Sequence, residues 1–396
     1  MAPDRRFGHK SGMNLTVSPA IEQFRSPADM VARLRPAEPV YCLDRAALVA
    51  AAWTFVSLFP GRVLYAVKCN PLPLVLDALH EGGIRHFDTA SIAEIEQVGR
   101  RYPDCTSYFM HPIKAPEAIE RSFTEFGVRH FVVDQPGELA KMATVLGDRR
   151  RDAVAVVRLA TPSKGAKFNL SAKFGAPPER AVALLREVVR QGFQAGLCFH
   201  VGSQCIDPKA WTVALDLTRQ VLAEAQVPIR CLDVGGGFPA DYEGETPPPL
   251  EDFMAAIRTG VDALKLPDDC VLMCEPGRAL VAGSISLVVR IELATDDAVH
   301  INDGIYGSLI AATIGIRWPV SLLRPDQPVA NATRPFRVFG PTCDNLDTLP
   351  FSFELPTDVR TGDFIRLDRL GAYSAALRTG FNGFLPSRFV LVDRLD

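Results

Sequence analysis

Between about Asp44 and Ala282, short apolar runs alternate with longer stretches whose apolar residues recur at helical spacing. The runs, four to seven residues each, are 62–67, 84–87, 107–110, 130–133, 153–159, 196–201, 230–234 and 271–274. The helical stretches between them are 72–80, 92–102, 116–126, 138–146, 179–191, 208–225 and 250–264. Unbroken apolar strands alternating with helices call for a parallel sheet covered on both faces. Eight such units over roughly 240 residues predict a closed (β/α)8 barrel of the TIM type. The competing architecture is a doubly wound open sheet. It would favour Gly-x-Gly-x-x-Gly after the first strand, where this chain has Lys68-Cys69-Asn70-Pro71.

After Ala282 the texture changes. Segments 284–294, 336–339, 363–367 and 389–392 are rich in β-branched and aromatic residues, with turns between them and few helical patterns. Residues 283–396 therefore read as a mainly β domain, completed by the early run Val40-Tyr41-Cys42-Leu43. The expected division is a flexible extension over 1–20, a segment joining the β domain over 21–44, a barrel over 45–282 and the β domain over 283–396.

A chain of 396 residues exceeds what one core usually serves, which agrees with two domains. A net charge of -3 gives no reason to expect nucleic acid or an anionic membrane as partner. No apolar stretch approaches the roughly 20 residues of a membrane span. Met1 to Ala20 carries Arg5, Arg6 and Lys10 but no apolar core after them, so it does not read as a secretory signal. The nine cysteines are scattered without paired short spacings, which suits reduced thiols in a cytoplasmic protein. With seven histidines and none paired at ligand spacing, no metal is expected.

A barrel makes one demand on the chemistry: reactive residues should gather at the carboxyl ends of its strands. Lys68 ends the first run and Asp88 the second, Arg158 lies near the end of the fifth, and His200 to Ser203 close the sixth. Asp233 and Gly235-Gly236-Gly237 end the seventh; Glu275-Pro276-Gly277-Arg278 ends the eighth. Strand alternation puts Lys68 on one face with Leu64 and Ala66, where its charge needs a partner or a use, such as a Schiff base with a carbonyl. The triple glycine lets backbone N–H groups close on an anion, and Arg278 can fork onto phosphate oxygens. Plainer readings stand beside these. Glu275 pairs with Arg278, His200 is a satisfied barrel histidine, and Asp88 serves the helix start marked by Ser91 and Glu94.

The chain resembles the fold type III pyridoxal-phosphate decarboxylases, the group of ornithine, lysine and diaminopimelate decarboxylases that share an alanine racemase-like barrel. The matching strings are Tyr65-Ala-Val-Lys68-Cys-Asn-Pro71, Phe87-Asp-Thr-Ala-Ser91, Phe199-His-Val-Gly-Ser203 and Asp233-Val-Gly-Gly-Gly237. Further along come Glu275-Pro-Gly-Arg278, Asn302-Asp-Gly304, Gly340-Pro-Thr-Cys-Asp344 and Gly371-Ala-Tyr373, in the family's order across most of the chain. The resemblance implies that Lys68 holds pyridoxal 5'-phosphate as a Schiff base. His200 would stack on the ring and Glu275 would meet its nitrogen. Asp88 and Arg158 would line the cofactor, and Ser203, Gly236, Gly237, Gly277, Arg278 and Tyr373 would hold its phosphate region. It also implies a homodimer whose sites are shared: Cys343 of one subunit returns a proton to the substrate in the other. Asp344 there faces the distal amine of a small amino-acid substrate, with Tyr306 and Phe381 beside it.

Cys343-Asp344 is nearer the ornithine form of that turn than the diaminopimelate form, so ornithine or lysine is the expected substrate. The same turn disfavours a racemase. One departure stands out. The stretch Leu309 to Arg317 is almost wholly apolar, with Gly315 where ornithine decarboxylases carry an acid and Ile310 where diaminopimelate decarboxylases carry an arginine. The alternatives are therefore diaminopimelate or an amino acid with a less polar distal group, or a non-catalytic paralogue.

Overall fold

The computed structural model describes residues 21–162, 166–168, 173–386 and 388–396. The expected extension over 1–20 lies outside the described residues.

Eight parallel strands close into a barrel: Arg62–Ala66, His86–Thr89, Thr106–Phe109, His130–Val133, Val154–Leu159, Gln194–Phe199, Cys231–Asp233 and Val271–Cys274. Closure is direct, since the eighth strand pairs with the first through Met273 with Arg62 and Cys274 with Val63. Inside, Leu64, Tyr108, Val132, Val156, Cys198, Cys231 and Met273 fill the space as a packed plug, so ligand space remains only above it. Outside, helices Pro73–Glu81, Ile92–Arg101, Pro116–Thr124, Pro136–Leu146, Pro178–Arg190, Lys209–Ala225 and Leu250–Leu264 bury apolar faces on the strands. Four of these begin at a proline, a residue that lacks the N–H a first helical turn cannot use.

The second body is a nine-stranded sheet built mostly after Ala282. Its longest strand, Ile285–Ala294, pairs with Phe364–Leu367 and, antiparallel, with Val40–Asp44. Val40–Asp44 pairs in turn with Arg388–Val392, so an early segment of the chain sits inside the sheet made by its last third. All nine cysteines are free thiols, six of them buried and Cys343 exposed. Among the described residues no helix is long and apolar enough to cross a membrane.

Three elements depart from the expectations. Helix Arg45–Leu58 was not foreseen because Ala, Leu and Val run all round it, which erases the one-sided period that marks a surface helix. The second strand is shifted two residues, from 84–87 to His86–Thr89, so Asp88 lies within the strand and not past its end. Lys68 does not continue the first strand's alternation; it sits in a single 3-10 turn, Val67–Cys69.

Candidate active site

The turn after the first strand presents Lys68 and anchors itself twice. Asn70 Nδ2 donates to the Gly371 carbonyl at 2.8 Å, and Tyr373 N donates to the Cys69 carbonyl at 2.9 Å. The residues following the lysine thus bring a segment of the sheet, Gly371 to Tyr373, to the barrel mouth. Gly277 closes the gap from the eighth strand, where a Cβ would lie 2.9 Å from the Cys69 Cβ.

These elements surround a cavity of about 210 Å³ lined by Lys68, Asp88, Arg158, His200, Ser203, Gly237, Glu275, Gly277, Arg278 and Tyr373, among others. Each of those ten was expected at the site, and Gly236 borders it, since a Cβ there would come 3.1 Å from His200 Nε2. Lys68 pairs with Asp88. It keeps 44% of its side-chain surface open to the cavity while Asp88 is buried, so the amine is accessible to a ligand and still tethered. Burial works against its charge, yet the Asp88 and Glu275 carboxylates outweigh that and hold its pKa above the usual lysine value. Helix Ile92–Arg101 is capped by Ser91, which accepts from Glu94 N at 3.3 Å; the capping role weighed for Asp88 is not its role.

The pairing of Glu275 with Arg278 does not occur either. Arg278, only 6% exposed, donates to the Tyr242 hydroxyl at 2.8 Å and to Ser203 Oγ at 3.3 Å, and lies over the Tyr373 ring at 5.0 Å. Among the described residues it has no carboxylate partner, and its Nε has no hydrogen-bond partner at all. A buried guanidinium without an anion is costly, so the cavity is built to receive one beside Ser203 and the glycines. At the other end the sign reverses. Burial first, then the neighbouring charges of Asp233 and Asp88, push the Glu275 carboxyl well above its ordinary pKa. Asp233 is likewise raised, first by burial, despite accepting from Gly235 N at 2.8 Å. A cationic ring nitrogen meeting Glu275 would relieve that crowding. Burial, with Arg158 and Lys68 nearby, drives the His200 pKa far down, so its ring is a neutral flat surface whose Nδ1 accepts from Gly202 N at 3.0 Å. An anion cradle, a proton-hungry carboxylate, a flat neutral ring and a reachable amine together match pyridoxal phosphate.

Four expected site residues are elsewhere. Cys343, Asp344, Tyr306 and Phe381 gather in the sheet body, with the Tyr306 hydroxyl 2.7 Å from Asp344 Oδ2 and the Tyr306 and Phe381 rings 4.7 Å apart. Cys343 Sγ lies 3.4 Å from Asn382 Oδ1 and is exposed. None of the four lines the Lys68 cavity. Conversely, the cavity includes Met110, His111, Pro112, Phe174 and Phe238, which were not singled out. His111 was findable: the third strand ends at Phe109, not 110, so His111 obeys the strand-end rule already applied to the others. Tyr242, bonded to Arg278, carried no such signal, since it lies in an irregular segment between strand and helix.

The family model described as the pyridoxal-binding domain of the pyridoxal-dependent decarboxylases matches residues 45–282. A lysine/ornithine decarboxylase of Selenomonas ruminantium is 33% identical over 331 residues, covering 81% of each chain. Antizyme inhibitor 2 of Xenopus laevis is 31% identical over 387 residues, 90% of this chain and 81% of that protein. Among solved structures, a lysine/ornithine decarboxylase of Vibrio vulnificus complexed with putrescine superposes with a TM-score of 0.79 at 28% identity, covering 93% of this chain and 99% of that one. The chain belongs to the pyridoxal-dependent decarboxylases: it is an amino-acid decarboxylase whose cofactor is pyridoxal phosphate.

Proposed function

We propose that the chain releases carbon dioxide from a basic L-amino acid, ornithine or lysine before others, in a homodimer with shared sites. The observation that carries the reading is the cavity's split polarity: a tethered amine at Lys68, an unpaired buried Arg278 on one side and a proton-hungry Glu275 on the other. Lys68 would hold the cofactor's aldehyde carbon. Arg278, Ser203, Tyr373 and the backbone at Gly236, Gly237 and Gly277 would bind its phosphate, Glu275 its ring nitrogen and His200 its ring face. Asp88 and Arg158 would flank it. When bound, pyridoxal phosphate supplies the electron-withdrawing ring that takes up the electron pair left as the carboxylate departs.

The proton that returns to the substrate's α-carbon needs a donor. Cys343 of a partner copy supplies it in this reading, with Asp344 turned to the distal amine and Tyr306 and Phe381 packed along the side chain. Support comes from their grouping: an exposed thiol, an acid and two rings assembled at a place that leaves them without work in their own subunit. Retention of Lys68, Glu275 and Cys343 argues against a non-catalytic chain, although one relative is named an inhibitor protein. The product named in the Vibrio structure, putrescine, is the amine expected from ornithine.

A second reading rests on the wall beside the cavity. A contiguous space of about 370 Å³ is lined by Ile310, Ala311, Thr313, Ile314 and Leu377, together with Lys68, Ser203, Arg278 and Tyr373. Among the described residues no carboxylate lines it, and an ammonium set against that wall needs an acid brought from outside. An amino acid with a less polar distal group would then be preferred. Carbon dioxide release from ornithine, lysine, diaminopimelate and norleucine by the cofactor-loaded enzyme separates the readings. The basic reading expects ornithine or lysine to have the highest kcat/KM, and norleucine or diaminopimelate in first place overturns it. Lys68→Ala should abolish turnover of every substrate; a wild-type rate in that variant removes the amine from the chemistry.

A further inference from the structure

His111 has no part in the reading above, yet it stands on the cavity. Around the barrel the third strand lies diametrically opposite the seventh, so His111, two residues past Phe109, looks across the mouth toward the glycine turn at 235–237. It lines the cavity with Lys68, Asp88, Arg158 and Phe174. Its Nδ1 lies 2.7 Å from the Ile113 carbonyl oxygen and 3.1 Å from Ile113 N. Both contacts fall on Nδ1, so in either tautomer that nitrogen is taken up by its own turn. Among the described residues Nε2 has no hydrogen-bond partner. The ring is braced edge-on against Phe174, with centroids 5.4 Å apart at 74°, and Phe174 in turn lies under the Arg158 guanidinium at 5.7 Å. Closing its own turn accounts for one nitrogen and the brace for the ring. The second nitrogen is left for a ligand. Burial, with the nearby charges of Lys114, Lys173 and Lys68, lowers its pKa, so the ring is neutral at neutral pH.

The covalent layout of pyridoxal phosphate supplies the other half. Its phosphate arm and its 2-methyl group stand on opposite ring carbons, and its 3-hydroxyl lies between the methyl and the aldehyde. With the arm at Arg278 and Gly237 and the aldehyde carbon at Lys68, the hydroxyl edge would face away from the glycine turn, toward the third strand. We propose that His111 is a cofactor-binding residue whose Nε2 is hydrogen-bonded to the cofactor's 3-oxygen. The proposal rests on the Lys68 reading and adds a contact to it.

Equilibrium dialysis of the cofactor-free protein against pyridoxal phosphate and 3-deoxypyridoxal phosphate tests it without any turnover. Wild type should prefer the hydroxylated ring by about tenfold, the weight of one buried hydrogen bond. His111→Leu should bind both within about twofold of each other while keeping its affinity for the deoxy ring. Should that variant not fold, His111→Phe keeps the edge contact with Phe174 and carries the same expectation. An equal preference for the hydroxyl in wild type and variant overturns the contact and leaves the Lys68 reading standing. A wild type that takes up neither ring overturns both.

Discussion

In its proposed role Glu275 would be poor for the empty protein and good for the loaded one. Its pKa is raised chiefly by burial and then by Asp233 and Asp88, so without cofactor the native state holds a proton that the unfolded chain would lose. In the window above the ordinary carboxylate pKa the folded form binds more protons than the unfolded, and stability falls as pH rises through it. Glu275→Gln removes that penalty. The cofactor-free variant should melt a few degrees above cofactor-free wild type at about pH 8, with the gap narrowing toward about pH 5. Differential scanning fluorimetry across that range reads it, and a gap independent of pH would mean the carboxyl is not the cause. The loaded variant should move the other way, losing on the order of 10²-fold or more in kcat, because an amide cannot hold the ring nitrogen in its protonated form. A residue that costs stability when the site is empty and rate when it is removed is placed for chemistry.

At the scale of elements, the glycine turn does what side chains elsewhere do. Gly235 and Gly237 have φ of +69° and +107°, and a Cβ would come 2.1 Å from the Phe199 carbonyl oxygen and 2.3 Å from the Gly202 carbonyl oxygen. The seventh strand's exit therefore fits against the sixth strand's exit, His200 to Ser203, only without side chains. Gly237→Ala should push the Gly202 carbonyl back and displace Ser203 with it, weakening pyridoxal phosphate binding by tenfold or more while the barrel still folds. Equilibrium dialysis with a circular dichroism control would show it, and unchanged affinity would put the phosphate elsewhere. The barrel and this turn were legible because strand length, helix spacing and Gly-Gly-Gly are local signals. Lys68 was legible as a chemical oddity, but its 3-10 turn was not, since the bonds that brace it run from Asn70 and Cys69 to Gly371 and Tyr373, three hundred residues away. Asp88 was set past its strand's end because Ile84 extends the apolar run backward without joining the sheet. Helix Arg45–Leu58 hid for the opposite reason, a pattern too uniformly apolar to show a period.

The residues proposed for the chemistry fall in two places, and only one of them lines the Lys68 cavity. Lys68, Glu275 and Arg278 sit at the barrel mouth, while Cys343 and Asp344 sit on the sheet body with Tyr306. Around that second cluster the surface is apolar beyond ordinary need: Leu346, Phe381, Phe384 and Leu385 are each more than two-fifths exposed. Such a rim beside an exposed thiol and an acid suits the proposed homodimer, in which a two-fold axis would bring each cluster to the other copy's barrel. Complementation turns this into a measurement. Lys68→Ala and Cys343→Ala should each be nearly inactive alone. Mixed under conditions where subunits exchange, they should form heterodimers with one intact Lys68 and one intact Cys343 facing each other. If the copies scramble at random, half of the dimers are mixed and each holds one good site, so activity should approach about a quarter of wild type. Exchange must be followed separately, for instance by differently sized tags, because only then does silence carry meaning. Exchange without recovery would put both groups' work within single subunits, and the separation of the two clusters would need another cause.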